Sequence, residues 1–263
     1  MNLRKILLLI YIIYKMIPKI IHYCWLSSDP FPTKIQSCIN SWFSMLPGYQ
    51  IKLWNLQNTE INQNPWVLDA FNNKKYAFAA DYIRLYALYH YGGIYLDSDV
   101  EVRKSFDELL DLPYFMGVDS QNKIEAAVIG SEPNNPWILE CLNYYNGKEF
   151  VMQDGHLNIK TLPLIMELQI ESKWHISLLS RKEDFSFSQN MVQLFPFDYF
   201  CSKRHDDGTI KTTSHTYTIH HFAMSWCSPK NKFLTRCKRV FFSLFGTRLT
   251  AGLIKCFHLQ KLK

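Results

Sequence analysis

The sequence has no cysteine pair spaced as C-x-x-C, and its seven cysteines are odd in number and scattered along 263 residues. This distribution argues against a disulfide framework and against a zinc cage, and it is typical of buried thiols in a reducing compartment. The chain also has no internal repeat and no low-complexity tract. Hydrophobic residues make up 48% and aromatics 15% of the chain, which is ample for one sizeable folded domain.

Acidic residues are missing from the end of the chain. No Asp or Glu follows Asp207, whereas ten Lys and Arg do, so the remainder holds 19 basic against 23 acidic residues. The net charge of +6 therefore belongs to the tail and not to the body. Because the body is slightly acidic, its charge gives no reason to expect nucleic-acid binding. The basic tail points first to an anionic membrane surface.

A long hydrophobic run is absent near the N-terminus as well. The apolar stretch from Ile6 to Tyr14 has nine residues, too few to span a bilayer, and no small-residue cleavage site follows it. We interpret residues 1–15 as a short hydrophobic extension, either upstream of a natural start near Met16 or associated shallowly with a membrane. Residues 16–228 are the predicted main folded domain. Residues 229–263 form a basic amphipathic tail that either lies on an anionic leaflet or packs back on the domain.

The first fifty residues of the predicted domain alternate between strand and helix patterns. "IPKIIHYCW", 17–25, is typical of a buried strand, and apolar residues from Ile35 to Leu46 recur at helical spacing after Thr33, a potential helix cap. "YQIKLWN" then alternates as a second strand does. Strand, helix and strand in this order favour an α/β fold of the nucleotide-binding kind.

A largely apolar helix is predicted from about Tyr76 to Tyr91, ending at Gly92-Gly93. Asp81 and Arg84 are three residues apart and thus share one face of this helix. Charges on a buried helix are costly unless they are paired or face a polar site. The pair is therefore either a structural ion pair or part of a ligand site.

The strand "GIYLDSDVEV" that follows the glycines runs from apolar residues into two carboxylates, Asp97 and Asp99. In open α/β sheets, ligands bind beyond the carboxyl ends of the strands, where these side chains and the Asp81/Arg84 face would meet. Hard divalent cations such as Mg²⁺ or Mn²⁺ take one or two carboxylates together with phosphate oxygens. The pattern therefore predicts a metal and phosphate site.

These residues resemble glycosyltransferase family 32, whose sugar-binding region contains a DXD motif. The matching segments are "IPKIIHYCW" at 17–25, "AADYIRLYALYHYGGIYLDSDVEV" at 79–102 and "TYTIHHFAMSW" at 216–226, with a weaker match in "KTLPLIM" at 160–166. The resemblance implies a GT-A type Rossmann-like fold, and the amphipathic tail, which lies outside the resemblance, adds a predicted helical C-terminal appendage. The resemblance also implies metal-dependent, retaining transfer of a hexose from a nucleoside-diphosphate sugar, with UDP favoured, to a glycan or lipid-linked saccharide acceptor. Such transfer would serve bacterial capsule or lipopolysaccharide synthesis, in the cytoplasm at the inner face of the plasma membrane.

The resemblance assigns donor contacts residue by residue. Trp25 is similar to the residue that stacks on the donor base, and Asp81 and Arg84 to the pair that contacts the donor sugar and phosphate. Tyr95 matches a diphosphate or ribose contact, and Asp97 matches the ribose and sugar contact. The expected catalytic set is Asp81, Arg84, Asp97 and Asp99.

The resemblance also implies a Mn²⁺ or Mg²⁺ shell. Asp99 matches the direct metal ligand, with Asp97 beside it, and His221 and Ser225 match the positions that complete the shell. Trp226 matches a residue that closes over the diphosphate. His220 and His221 point to opposite faces if they lie on a strand, so at most one of them faces the metal.

Two other functions fit parts of the pattern. "IYLDSDV" also resembles the catalytic strand of haloacid-dehalogenase phosphohydrolases, but that strand opens their domain, and here it follows about ninety residues of other structure. A non-catalytic protein that binds a sugar nucleotide at a membrane is the second alternative. The presence of Asp97, Asp99, Arg84, Trp25 and Trp226 together favours an enzyme over that alternative.

Overall fold

The computed structural model describes residues 16–57 and 64–223. The predicted N-terminal extension and basic tail therefore lie outside the described residues. No helix within the described ranges is long and apolar enough to cross a membrane. Nine strands are found in these ranges: β1 Ile20–Cys24, β2 Gln50–Trp54, β3 Gly93–Leu96, β4 Val100–Val102, β5 Tyr114–Val118, β6 Ile124–Ser131, β7 His175–Leu178, β8 Met191–Leu194 and β9 Thr218–His220.

Helices cover both faces of the main sheet. One hydrophobic core includes Trp54, Trp66 and Ile83, and a second core, containing Trp42, Phe115 and Phe200, occupies the other face. The two cores make a three-layer α/β arrangement. The helices in the described ranges are α1 Thr33–Met45, α2 Pro65–Asn72, α3 Tyr76–Tyr91, α4 Pro136–Asn143, α5 Leu162–Glu171 and α6 Phe197–Phe200, with 3₁₀ turns at Asp107–Leu109 and Lys182–Asp184.

The five-stranded sheet has the order β2-β1-β3-β6-β5. Strands β2, β1 and β3 are parallel, and β6 runs antiparallel to both β3 and β5. Two smaller pairs flank it, β4 with β9 in antiparallel register and β7 with β8 in parallel register. This topology confirms the predicted α/β, Rossmann-like class and places the end of β3 in the middle of the sheet.

Local predictions for the first helices are confirmed except at one cap. Helix α3 spans Tyr76–Tyr91 and ends at Gly92, which has a positive φ of 63°. Helix α1 begins at Thr33, but Pro32 is its N-cap residue, and no side chain caps it. Thr33 is thus the first helical residue and not the cap, because the fixed φ of Pro32 already sets the entry of the chain.

Gly92 and Gly93 bring the end of α3 against β1. A Cβ on Gly93, whose φ is +98°, would lie 2.6 Å from the carbonyl oxygen of Ile20. The imidazole of His22 closes the same junction, since its Nε2 lies 2.8 Å from the Gly92 carbonyl and its Nδ1 3.0 Å from Trp54 Nε1. An indole only donates, so Nδ1 accepts, and the Nε2–H donates to Gly92. His22 is therefore held as a neutral ring.

Acid should destabilise the fold through His22. Burial lowers the pKa of this histidine from 6.5 to about 4. Below pH 6.5 the His22 ring is protonated in the unfolded state but stays neutral in the folded state. The free energy of unfolding therefore decreases as the pH falls from 6.5 toward 4, by about 3 kcal/mol at most. Urea unfolding at pH 7, 6 and 5 measures this loss. His22→Gln should be less stable at pH 7 but should show a flatter pH dependence; an equal slope in both proteins would contradict the assignment.

Candidate active site

A crevice of about 740 Å³ opens where β3 ends, beside α3. The chain turns sharply after Leu96, because the Val100 amide donates to the Asp97 carbonyl at 2.9 Å, and the Asp97 amide is fixed by the Ala127 carbonyl at 2.9 Å. This turn presents Asp97 and Asp99 to the crevice. Other predicted site residues that line it are Trp25, Asp81, Arg84 and Tyr95.

Arg84 is the centre of the charge arrangement. Its Nη2 lies 3.1 Å from Asp81 Oδ1 and 3.1 Å from Asp97 Oδ1, and its Nη1 donates to the Ala126 carbonyl at 2.5 Å. The guanidinium stacks over the Tyr95 ring at 4.5 Å and is 5% exposed. The structure thus joins α3, the end of β3 and β6 through one side chain. Because Nη1 is bonded to Ala126 and Nη2 to the two carboxylates, the main role of Arg84 in this structure is to hold Asp81 and Asp97 in place.

Burial controls the charge of these two carboxylates. Desolvation raises the pKa of Asp81 to about 6, although Arg84 opposes it, and the carboxylate also accepts a hydrogen bond from the Leu162 amide at the start of α5. Burial likewise raises the pKa of Asp97, against the opposing charges of Arg84 and His220. Carboxylates poised this way are common at binding and catalytic sites.

Asp99 is held on both sides in its ionised form. Its Oδ2 accepts a hydrogen bond from the Ala223 amide at 2.7 Å, and its Oδ1 lies 3.3 Å from His220 Nε2. Burial opposes ionisation, but His220 and the backbone amides outweigh it and bring the pKa of Asp99 down to about 2. Asp99 is therefore a fixed negative charge at neutral pH.

The histidine beside the carboxylates is His220, and this corrects the choice of His221. Strand β9 pairs His220 with Val100 on β4, so the two adjacent histidines face opposite ways. His221 Nε2 lies 2.8 Å from Glu101 Oε2, on the side that Asp99 does not occupy. The strand pattern predicted that at most one of the two histidines faces the metal, and the resemblance pointed to His221, whereas the structure places His220 beside Asp97 and Asp99.

Two further residues of this site escaped the sequence analysis. Glu125, on β6, lines the crevice and lies 3.5 Å from His220 Nδ1 through its Oε1. The one available signal was a single carboxylate in an otherwise apolar strand. Phe222 lines the crevice with a positive φ of 50°, its ring centroid 4.0 Å from that of His220. This backbone conformation is rare for an aromatic residue, and it directs the next amide, that of Ala223, to Asp99.

The predicted contacts of Ser225 and Trp226 lie outside the described residues. Trp25 lies at the crevice, where its Nε1 donates to the Asp29 carbonyl at 2.9 Å and its ring packs edge-on against Phe31 at 4.9 Å. It is partly exposed at the end of β1. The stacking role predicted for Trp25 stays a prediction.

A divalent cation fits the chemistry of this donor set. One ligand atom from each of Asp97, Asp99 and His220 lies within 4.8 Å of the others. Two carboxylates suit Mg²⁺ and Mn²⁺ alike, and an imidazole nitrogen shifts the preference toward Mn²⁺. His220 is buried, Asp97 and Asp99 are partly exposed to the crevice, and the Asp99 charge is preformed, which suits a hard cation.

Comparison with known protein families agrees with this geometry. Residues 32–116 match the family described as a glycosyltransferase sugar-binding region containing a DXD motif. The matched region includes Asp81, Arg84, Asp97 and Asp99, so the family match and the crevice rest on the same residues. The match gives no support to the phosphohydrolase alternative.

Several curated relatives of this chain are named as mannosyltransferases, a glycosyltransferase or mannosyl phosphorylinositol ceramide synthases. A mannosyl phosphorylinositol ceramide synthase of Saccharomyces cerevisiae is 36% identical over 135 residues, covering 49% of this chain and 35% of the relative. An inositol phosphoceramide mannosyltransferase of Schizosaccharomyces pombe is 30% identical over 164 residues, covering 60% of this chain and 46% of the relative. An uncharacterized glycosyltransferase of Acanthamoeba polyphaga mimivirus is 30% identical over 154 residues, covering 55% of this chain and 60% of the relative.

The matches are partial. The chain spans about a third to a half of the yeast relatives it matches. Among solved structures, the PaToxG glycosyltransferase aligns with a TM-score of 0.46 and 22% identity, over 60% of this chain and 69% of that chain. A similarity at this level carries no functional argument.

Proposed function

We propose that this protein is a metal-dependent glycosyltransferase that moves a hexose from a nucleoside-diphosphate sugar to a hydroxyl acceptor. The observation that carries the proposal is the convergence of Asp81, Arg84, Asp97, Asp99 and His220 on one crevice at the end of β3. A sugar nucleotide presents sugar hydroxyls, which carboxylates can bind, and a diphosphate, which a metal cation and a guanidinium can bind.

Each of these residues has a distinct task in the proposed reaction. Asp81 and Asp97, held apart by Arg84, accept hydrogen bonds from the sugar hydroxyls and favour positive charge at the anomeric carbon as the bond to the diphosphate breaks. Asp99 and His220 would hold the cation, which when bound would stabilise negative charge on the departing diphosphate. Trp25 limits the crevice at the end of β1 and offers an aromatic face to the base.

A retaining outcome with front-face displacement is the proposed stereochemistry. In that reaction the departing phosphate oxygen takes the proton of the acceptor hydroxyl, and no covalent sugar–enzyme bond forms. The pairing of the carboxylates supports it: Asp81 and Asp97 are paired with Arg84, and Asp99 would be paired with the bound metal cation. A carboxylate paired with a cation is a weaker nucleophile. Trapping of a sugar on any of them would contradict this proposal.

Mannose is the first donor sugar to test, since several relatives are named mannosyltransferases. The preference for UDP over GDP stays a prediction. For the acceptor we propose a glycan or a lipid-linked saccharide. The names of the yeast relatives refer to inositol phosphoceramide, a lipid, which supports a lipid acceptor more than a bacterial capsule or lipopolysaccharide. A cytoplasmic, membrane-peripheral location is part of the same proposal.

A donor screen tests the function. Thermal unfolding is measured with Mn²⁺ and each of GDP-mannose, UDP-glucose, UDP-galactose and UDP-N-acetylglucosamine, and nucleotide release is then measured with the best binder. A donor at a hundred times its Kd should stabilise the fold by about 2.7 kcal/mol, and the gain should vanish in EDTA. Asp154→Asn, in an exposed loop, is the control for an Asp-to-Asn change outside the crevice. Its stabilisation by donor and its nucleotide release should equal those of the wild type. Absence of both stabilisation and turnover with every donor would contradict the proposal.

A further inference from the structure

The imidazole of His220 lies between two carboxylates from different strands. Its Nε2 is 3.3 Å from Asp99 Oδ1, and its Nδ1 is 3.5 Å from Glu125 Oε1. The residue is 8% exposed. Among the described residues, Nδ1 is a buried polar atom without a hydrogen-bond partner. A buried ring nitrogen without a hydrogen-bond partner costs free energy, so we ask what role the neighbouring Glu125 carboxylate has for Nδ1.

We infer that Glu125 is a positioning residue that orients His220 toward a cation at Asp99, an inference that rests on the proposed function for the presence of that cation. A histidine binds a metal through an unprotonated ring nitrogen, so binding through Nε2 leaves the ring proton on Nδ1. That buried N–H then needs an acceptor. Closing a gap of 3.5 Å to a hydrogen bond takes a shift of well under an ångström, as is usual when a site tightens on its ligand.

The Glu125 carboxylate is held in position by its own strand. Its Oε1 accepts a hydrogen bond from the Ala127 amide at 3.0 Å, two residues along the same strand. On the opposite side, the Phe222 ring packs on His220 with centroids 4.0 Å apart. Cys201 is the other candidate partner of the ring, because Cys201, Glu125 and His220 each offer one ligand atom within 4.8 Å of the others, but a thiol is a weak acceptor. The carboxylate is therefore the group that fixes the ring.

The test is Mn²⁺ affinity, measured from the electron paramagnetic resonance signal of free Mn²⁺ in the presence of a nucleoside diphosphate. Glu125→Leu should weaken Mn²⁺ binding about 10–100-fold. Glu125→Gln, which keeps an oxygen acceptor, should lie between the leucine variant and the wild type. Cys201→Ala is the matched control and should bind Mn²⁺ as the wild type does. Thermal unfolding in EDTA shows whether each variant is folded before metal is added.

A second readout does not depend on any variant. In the wild type with Mg²⁺ and a nucleoside diphosphate, two-bond ¹⁵N–¹H correlations should place the His220 proton on Nδ1. A proton on Nε2, or an E125L protein that binds Mn²⁺ as tightly as the wild type, overturns the inference, and so does a wild type that binds no Mn²⁺. If the wild type binds Mn²⁺ with E125L impaired yet no sugar is transferred, the proposed function fails alone. If sugar is transferred and E125L binds normally, the inference fails alone.

Discussion

Replacing Asp99 with asparagine should lower kcat for sugar transfer by about a thousandfold. The substitution keeps the shape of the side chain and one oxygen to accept the Ala223 amide, so the fold should be retained. It removes the fixed charge beside His220, and with it the carboxylate that would hold the cation and so stabilise the departing diphosphate. Losses of this size are typical when preorganised charge stabilisation is removed from a transition state. Single-turnover nucleotide release with saturating donor and Mn²⁺ measures the effect.

Ser98 supplies the control for this prediction. It lies between the two carboxylates and lines the same crevice, but its hydroxyl carries no charge. Ser98→Ala should stay within about twofold of the wild type by the same assay. Comparable losses in Ser98→Ala and Asp99→Asn would mean that the turn, and not the Asp99 charge, matters.

Replacing Arg84 with methionine should destabilise the fold by about 3–5 kcal/mol, the usual result of removing one partner of a buried charge network. Arg84 bridges Asp81 and Asp97 at 3.1 Å each and occupies the Ala126 carbonyl. Without it, two desolvated carboxylates face each other, and their pKa values rise further above that of an unfolded chain. A carboxylate with a raised folded pKa favours folding at low pH and loses that contribution as the pH rises, so the defect should be larger at pH 8 than at pH 5.

The double variant Arg84→Met/Asp81→Asn isolates the charge effect. Asparagine removes one of the two uncompensated charges, so the double variant should be more stable at pH 8 than Arg84→Met alone. Urea unfolding of both proteins at pH 5 and pH 8 makes the comparison. Equal stability of the single and double variants at pH 8 would show that lost packing, and not unpaired charge, causes the defect.

The sequence predicted the central part of the site because its signals are local. The apolar pattern and the glycine pair define α3 as Tyr76–Tyr91, and the position of Asp97 and Asp99 after an apolar strand places them at the end of β3. The spacing of Asp81 and Arg84 puts them on one helix face, and the structure brings that face to the same carboxylates.

The remaining contacts depend on long-range pairing that no local pattern encodes. Which of His220 and His221 faces Asp99 is set by the register of β9 on β4. Glu125 joins the site because β6 lies antiparallel beside β3, a neighbour more than twenty residues away in sequence. The positive φ of Phe222 likewise arises from the turn that carries the Ala223 amide to Asp99, and an aromatic residue gives no local signal for it.

Asp99 and its neighbours are proposed to bind a nucleoside diphosphate through a cation, and calorimetric titration measures that binding. The Kd of GDP and of UDP is measured with Mn²⁺ and with EDTA, for the wild type and for Asp99→Asn. Because the two ligands share one site, each should strengthen binding of the other by the same factor. We expect Mn²⁺ to tighten nucleotide binding at least tenfold in the wild type and not in Asp99→Asn. Equal nucleotide affinity with Mn²⁺ and with EDTA in the wild type would contradict it.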